Sequence, residues 1–227
     1  MKRYFYKETG MYIDWGQLSR LPDVDTLVDI GVGANGTEDL YDAFPNARLI
    51  LIDPLDEAND YAAKAQERGG SLKERRVKFY KTAVGNVSET TSMEISIEKA
   101  IGRSTLLKVS DINYEGPPTE KRMVNLNSLD AVLNEELDLG RVGIKIDTEG
   151  FELDVIKGAL NTLKIAKFVI AEVRHNHESF KGVYKLHEFI SAMTDNGFVL
   201  TTILTAKPFI ADLCFQPIGD LELKGGN

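Results

Sequence analysis

The stretch Leu27 to Thr37, reading LVDIGVGANGT, constrains the fold more than any other part of the chain. A short apolar run (Leu27, Val28, Ile30) surrounds the acid Asp29 and breaks into glycines at Gly31, Gly33 and Gly36. Polar residues suited to a helix start follow at Thr37, Glu38 and Asp39. Strand, glycine turn and helix, in that order, open a nucleotide-binding α/β domain. Glycines let the backbone turn sharply and approach a ligand closely, because they carry no Cβ. Such loops are common, so the flanking residues must decide what this one holds.

The rest of the chain keeps the same rhythm. Thr26–Ile30 and Arg48–Ile52 read as buried parallel strands, the second being apolar after its first residue. Val77–Tyr80, Val142–Ile146 and Lys167–Val173 continue the series, with helices expected over 37–44, from Asp56 to Gly69, from Ser128 through Leu137, after Gly150, and over 183–196. Between 91 and 126 the period changes to two. Met93, Ile95 and Ile97 alternate with acids and a serine, and Lys121–Leu126 is the expected partner, which predicts an inserted β-hairpin. The expected fold class is α/β: a single doubly wound, Rossmann-like, mostly parallel sheet. An antiparallel strand pair, Phe198–Leu204 with Asp212–Gln216, closes it. Residues 1–24, rich in aromatics, are expected as an N-terminal arm packed on one domain spanning 25–227. The irregular segment at about 99–121 is expected as a lid.

Composition narrows the function. The chain of 227 residues has 27 basic and 35 acidic side chains, a net charge of −8, which argues against nucleic acid or an anionic membrane as partner. One cysteine, Cys214, fits a reducing compartment, and the opening MKRYFYKETG leads into no apolar core of a signal peptide. A cytoplasmic enzyme acting on a small molecule is the expectation, and the sequence leaves a homo-oligomer open.

The loop's own acids select its ligand. Asp29 precedes the glycines, and Glu38 and Asp39 occupy the helix's first turn. Acids there suit the helix dipole but repel a diphosphate and attract a cation. S-adenosylmethionine is such a ligand, with an ammonium, a sulfonium and a free ribose diol. Asp53, twenty residues past Gly33 and at the end of the second strand, is placed to accept hydrogen bonds from that diol. An NAD(P)-dependent Rossmann oxidoreductase or epimerase is the alternative, and a non-catalytic binding module that keeps the pocket is the third reading.

A second dense stretch, RVGIKIDTEGFELDVIKG, spans Arg141 to Gly158. Lys145 and Asp147 lie on one side of a buried strand, so they must be paired or face a cavity. Asp29, Asp53, Asp147 and Glu172 all fall near strand carboxyl ends, where open α/β sheets bind ligands. For methyl transfer to a hydroxyl, the base candidates are Asp147, Glu149 and His175, with Lys145 as orienter or base. Glu149 and Glu152 also suit helix caps. Asp147, Glu172, His175 and Asn176 form the set for a divalent cation, a route ranked below metal-free transfer.

These stretches resemble the FkbM family of S-adenosylmethionine-dependent methyltransferases. The resemblance rests on VDIGVGANGTEDLYDAFP (28–45), LIDP (51–54), KTAVGN (81–86), NSLD (127–130) and KIDTEGFELDVIKGAL (145–160), the last carrying the form K-I-D-x-E-G-x-E. It covers roughly Val28 to Glu172. It implies a class I methyltransferase fold that methylates a hydroxyl of a sugar, polyketide or other small metabolite. It also implies that Asp29, Gly31 and Gly33 hold the methionine portion; Asn35 of the same loop is a further cofactor-binding candidate. Asp53 would then hold ribose, and Ala83 and Val84 would flank adenine.

Overall fold

The alternation of apolar and polar residues resolves into one central sheet with helices on both faces. The computed structural model describes residues 4–6, 11–68, 76–96, 104–109, 119–175 and 180–222. The elements run β1 (Tyr4–Tyr6), β2 (Met11–Ile13), a 3₁₀ helix (Trp15–Arg20), β3 (Thr26–Ile30), α1 (Glu38–Ala43), β4 (Arg48–Ile52) and α2 (Asp56–Arg68). Next come β5 (Val77–Tyr80), β6 (Ala83–Gly85), β7 (Glu89–Ser96), β8 (Lys108–Val109), β9 (Thr119–Ser128), α3 (Leu129–Leu133), β10 (Val142–Ile146), α4 (Glu152–Lys157) and α5 (Leu160–Leu163). The chain closes with β11 (Ala166–Arg174), β12 (Phe180–Lys181), α6 (Leu186–Asp195), β13 (Phe198–Ala206), β14 (Ile210–Pro217) and α7 (Ile218–Glu222).

The main sheet has the order β1-β2-β13-β14-β11-β10-β3-β4-β5. Strands β5, β4, β3, β10 and β11 are mutually parallel, whereas β14 runs antiparallel between β11 and β13. This is the doubly wound sheet with an antiparallel closing pair that the sequence predicts. Strand β4 shows why the residues build it. Ile50 and Ile52 enter the hydrophobic cluster under α3, α4 and α6, whereas Leu49 and Leu51 enter the one under α1 and α2. All four are buried, and each such side chain contributes on the order of 1.5–3 kcal/mol.

The β1–β2 pair of the N-terminal arm extends the sheet beside β13. The inserted hairpin forms as predicted, with Glu94 opposite Lys121. It gains a third strand, because Ala83–Gly85 pairs with β9 in parallel. Most of the predicted lid, residues 99–103 and 110–118, lies outside the described residues.

Three helix predictions need correction. The helix from Ser128 stops at Leu133, not Leu137, although Ser128 Oγ caps it by accepting from the Ala131 amide at 3.2 Å. The chain turns so that Glu136 meets Tyr80 and the cations Lys78 and Arg48, and Leu137 is left in solvent. The single apolar stripe from Phe151 to Leu163 is two helices, broken at Gly158. A Cβ there would sit 1.9 Å from the Gly85 carbonyl oxygen, so β6 approaches too closely for any side chain. The last long helix is also shorter than expected, starting at Leu186.

Candidate functional site

The parallel strands place the ends of β3, β4 and β10 side by side, and an open cleft of about 530 Å³ lies beyond them. That is the position at which open α/β sheets bind ligands. Its walls come from four places: Gly31 and Gly33 of the glycine loop, Asp53–Leu55 after β4, Thr82–Val84 around β6, and Asp147–Glu149 after β10. Met93, Ser104 and Leu106 add the insertion as a further wall.

Gly31 has φ +84, and a Cβ on it would lie 1.8 Å from the Asp147 carbonyl oxygen. The close approach that demands glycine is therefore between the ends of β3 and β10. Asp53 is almost fully buried. Its Oδ2 accepts from the Gly33 amide at 2.9 Å and its Oδ1 from the Leu55 amide at 2.8 Å. These bonds fix the carboxyl group at the cleft wall and leave further acceptor capacity on each oxygen. Burial pushes its pKa up to about 6, against the pull of the two amides.

Asp29 stands elsewhere than the cofactor wall. It is fully buried in β3, does not line the cleft, and accepts a short hydrogen bond from the Tyr41 hydroxyl of α1. Burial raises its pKa to about 6, with Tyr41 and Lys145 opposing. Asn35 is exposed in the loop's turn and also lies off the cleft. Ala83 and Val84 are buried and line the cleft, with Leu55, Met93 and Leu106 giving that end an apolar surface.

Behind Asp147, outside the cleft lining, lies a charged cluster. Lys145 is 2% exposed, and its Nζ lies 3.3 Å from Asp147 Oδ2 and 3.3 Å from Asp212 Oδ1. Burial alone would lower its pKa, but Asp147, Asp212, Glu172 and Asp29 together hold it above the ordinary lysine range. Lys145 is thus held as an ammonium between two carboxylates. Asp212 is anchored by Thr205, whose hydroxyl donates to its Oδ2 at 2.5 Å.

Glu149 lines the cleft at φ +52, a left-handed conformation rare for a residue with a side chain. Arg174 pairs with its carboxylate, and Thr105 of the insertion donates to its carbonyl oxygen at 2.8 Å. Burial pushes Glu149 up to about 7, opposed first by Arg174. Glu172 is raised to about 8 by burial and the neighbouring acids, and Lys207 lies 3.7 Å away. One oxygen from each of Asp147, Glu149 and Glu172 falls within 4.8 Å of the others, a set that resembles a divalent-cation site. Lys145, Arg174 and Lys207 already face the three carboxylates.

His175 is exposed, with Nε2 lying 3.1 Å from the Lys207 carbonyl oxygen, and it does not line the cleft. Asn176 lies outside the described residues. The sequence reading missed Arg174, Asp212 and Tyr41 as partners, and Met93, Ser104 and Leu106 as walls. Strand alternation at β11 and β14 could have flagged Arg174 and Asp212, whereas the insertion's docking depends on tertiary contacts alone.

No curated protein sequence matches the chain. Among solved structures, it is similar to a methyltransferase FkbM from Methylobacillus flagellatus KT, at 15% identity and a TM-score of 0.49 over 87% of this chain and 47% of that one. It is also similar to the magnesium protoporphyrin IX methyltransferase of Synechocystis PCC 6803 with bound SAM, at 12% identity and 0.46 over 89% and 76%. A precorrin-6y C5,15-methyltransferase from Geobacter metallireducens GS-15 gives 12% and 0.45 over 89% and 86%. This chain therefore spans about half the length of the FkbM structure, and likenesses at these scores carry no information on substrate. The family model for the methyltransferase FkbM domain, by contrast, matches residues 32–200, from the glycine loop through β11 and into β13. The chain belongs to the FkbM methyltransferase family.

Proposed function

We propose that the protein transfers a methyl group from S-adenosylmethionine to a hydroxyl of a sugar, polyketide or other small metabolite. The observation that carries this reading is the lining of the cleft: among the described residues Asp53, Asp147 and Glu149 line it, and no lysine or arginine does. Such a wall favours a cationic cofactor and disfavours the diphosphate of NAD(P). The residues present fit the cofactor. Asp53 would hold the ribose hydroxyls, and Leu55, Ala83, Val84, Met93 and Leu106 would enclose adenine. Gly31 and Gly33 would let the methionine portion lie against backbone.

When bound, the cofactor supplies a methyl carbon whose bond to sulfur breaks as the acceptor oxygen bonds to it. The chain's part is to position the oxygen and take its proton. Asp147, braced by Lys145, orients the acceptor hydroxyl. Glu149 takes the proton, since it lines the same wall beside Asp147 and burial raises its affinity for a proton.

Calorimetric titration with S-adenosylhomocysteine and with NAD(P) tests the cofactor. Binding of the first and not the second is expected, and the reverse would overturn the reading. Transfer of labelled methyl groups to a panel of hydroxylated metabolites tests the reaction. The cluster of Asp147, Glu149 and Glu172 supports one second reading, a divalent cation that acidifies the acceptor hydroxyl. Turnover that vanishes after exhaustive chelation and returns with magnesium would favour it over proton transfer to Glu149 alone.

A further inference from the structure

The turn Asp147–Gly150 carries two of the cleft's acids, yet it has a left-handed glutamate in its middle. A non-glycine residue at positive φ persists only where its surroundings over-determine it. What surrounds this turn is Glu152, which is 1% exposed and does not line the cleft. Its Oε1 accepts from the Thr148 amide at 3.0 Å, the Thr148 hydroxyl at 3.1 Å and the Gly150 amide at 2.9 Å. Its Oε2 accepts from the Tyr184 hydroxyl at 2.8 Å. Tyr184 is itself buried, in the segment between β12 and α6.

The two amide donors to Oε1 stand on either side of Glu149 in sequence, so they pin the peptide that enters Thr148 and the one that leaves Glu149. The cap residue of the following helix is Phe151, whose side chain makes no cap bond, so the bonds of Glu152 to Thr148 and Gly150 reach back beyond the helix into the turn. A buried carboxylate that collects four donors and touches no cleft has one physical consequence, the shape of the turn it holds.

We infer that Glu152 is a positioning residue, which holds the Asp147–Gly150 turn from below so that Asp147 and Glu149 face the cofactor cleft. Tyr184 braces the carboxylate from the other side and sets its rotamer. The last glutamate of K-I-D-x-E-G-x-E thus acts through the first acid and the second, never on cofactor or acceptor. This inference rests on the reading of the cleft as the cofactor site.

The test uses the full chain, S-adenosylhomocysteine as probe, and three variants. Glu152→Gln keeps an oxygen acceptor towards the turn amides and places an amide donor opposite the Tyr184 hydroxyl oxygen, so binding within about threefold of the wild type is expected. Glu152→Leu removes the acceptor, and binding roughly tenfold weaker or more is expected. Leu163→Ala, in the core under α5 and away from the turn, supplies a control of lowered Tm whose binding should stay within about twofold. A merely structural role would move Glu152→Leu and Leu163→Ala in Tm alike and leave affinity untouched, which would overturn the inference. Glu152→Gln losing affinity as severely as Glu152→Leu would also overturn it, since that result assigns the charge itself to binding. Should Glu152→Leu fail to fold, amide exchange decides: Thr148 and Gly150 should be protected in the wild type and in Glu152→Gln, and rapid exchange in the wild type would overturn the inference. A wild type that binds no S-adenosylhomocysteine, with both amides protected, overturns the cofactor reading and the inference with it.

Discussion

Two turns at neighbouring strand ends form the site, and they are built on opposite principles. The loop after β3 is rich in glycines, and it has an external side-chain anchor: Asp53 of the next strand holds the Gly33 amide. The turn after β10 keeps a glutamate where a glycine would be relaxed, and its anchor, Glu152, lies within the turn's own helix. The first presents backbone and an apolar floor. The second presents charge. Methyl transfer asks for that division, because the cofactor must be held by shape whereas the acceptor proton must be moved by a group of adjusted acidity. A glycine turn tolerates no side chain, and a charged turn needs its charges braced, here by Lys145, Arg174 and Glu152.

The comparison breaks most severely at Gly31. Gly31→Ala puts a Cβ 1.8 Å from the Asp147 carbonyl oxygen at φ +84, so β3 and β10 must separate. A loss of about 3 kcal/mol or more is expected in chemical denaturation, because backbone cannot yield as a flexible side chain does. A variant of near-native stability would show that the two turns do not share a wall.

Asp53→Asn should leave the fold nearly intact and weaken S-adenosylhomocysteine roughly tenfold to a hundredfold in calorimetry, the effect of losing hydrogen bonds to a charged group. The amide keeps one acceptor for Leu55 but turns a donor towards the Gly33 amide, which loosens the glycine loop as well. Unchanged affinity would remove Asp53 from the cofactor wall.

Legibility followed the same division. The glycine loop, Asp53 and the KIDTEG turn were readable because strand ends and their spacing follow from local periodicity, and parallel pairing then brings them together. Asp29 was read as a ligand contact, yet it is covered by Tyr41 of α1, a packing choice that a strand pattern does not encode. His175 carries the right chemistry, but its backbone pairs with Phe209 and leaves the ring exposed. Arg174 and Asp212 brace the charged turn from β11 and β14, so their roles depend on which strands end up adjacent. The insertion's Met93 and Leu106 reach the cleft through the isolated bridge between Glu94 and Thr105, for which the sequence offers no signal.

The smallest expected effect lies in pH, and it separates the two turns by charge. Asp53 titrates near 6, Glu149 near 7 and Glu172 near 8 in the folded chain, each above its ordinary value of 3.8 or 4.5. Between those values the folded protein binds more protons than the unfolded one, so these groups lower stability progressively as pH rises from about 4 to about 8. The ligand-free protein should therefore melt higher at pH 6 than at pH 8.5. A cation reverses the balance, because it favours the ionised acids. S-adenosylmethionine carries a sulfonium, and S-adenosylhomocysteine is the same molecule without the methyl and its charge. The affinity of the first relative to the second should rise between pH 6 and pH 8.5, by roughly threefold to tenfold for one partly screened charge pair. Glu149→Gln should flatten that rise, whereas the neutral ligand should bind the variant much as it binds the wild type. A ratio that does not move with pH would place the sulfonium away from Glu149 and leave the charged turn to the acceptor alone.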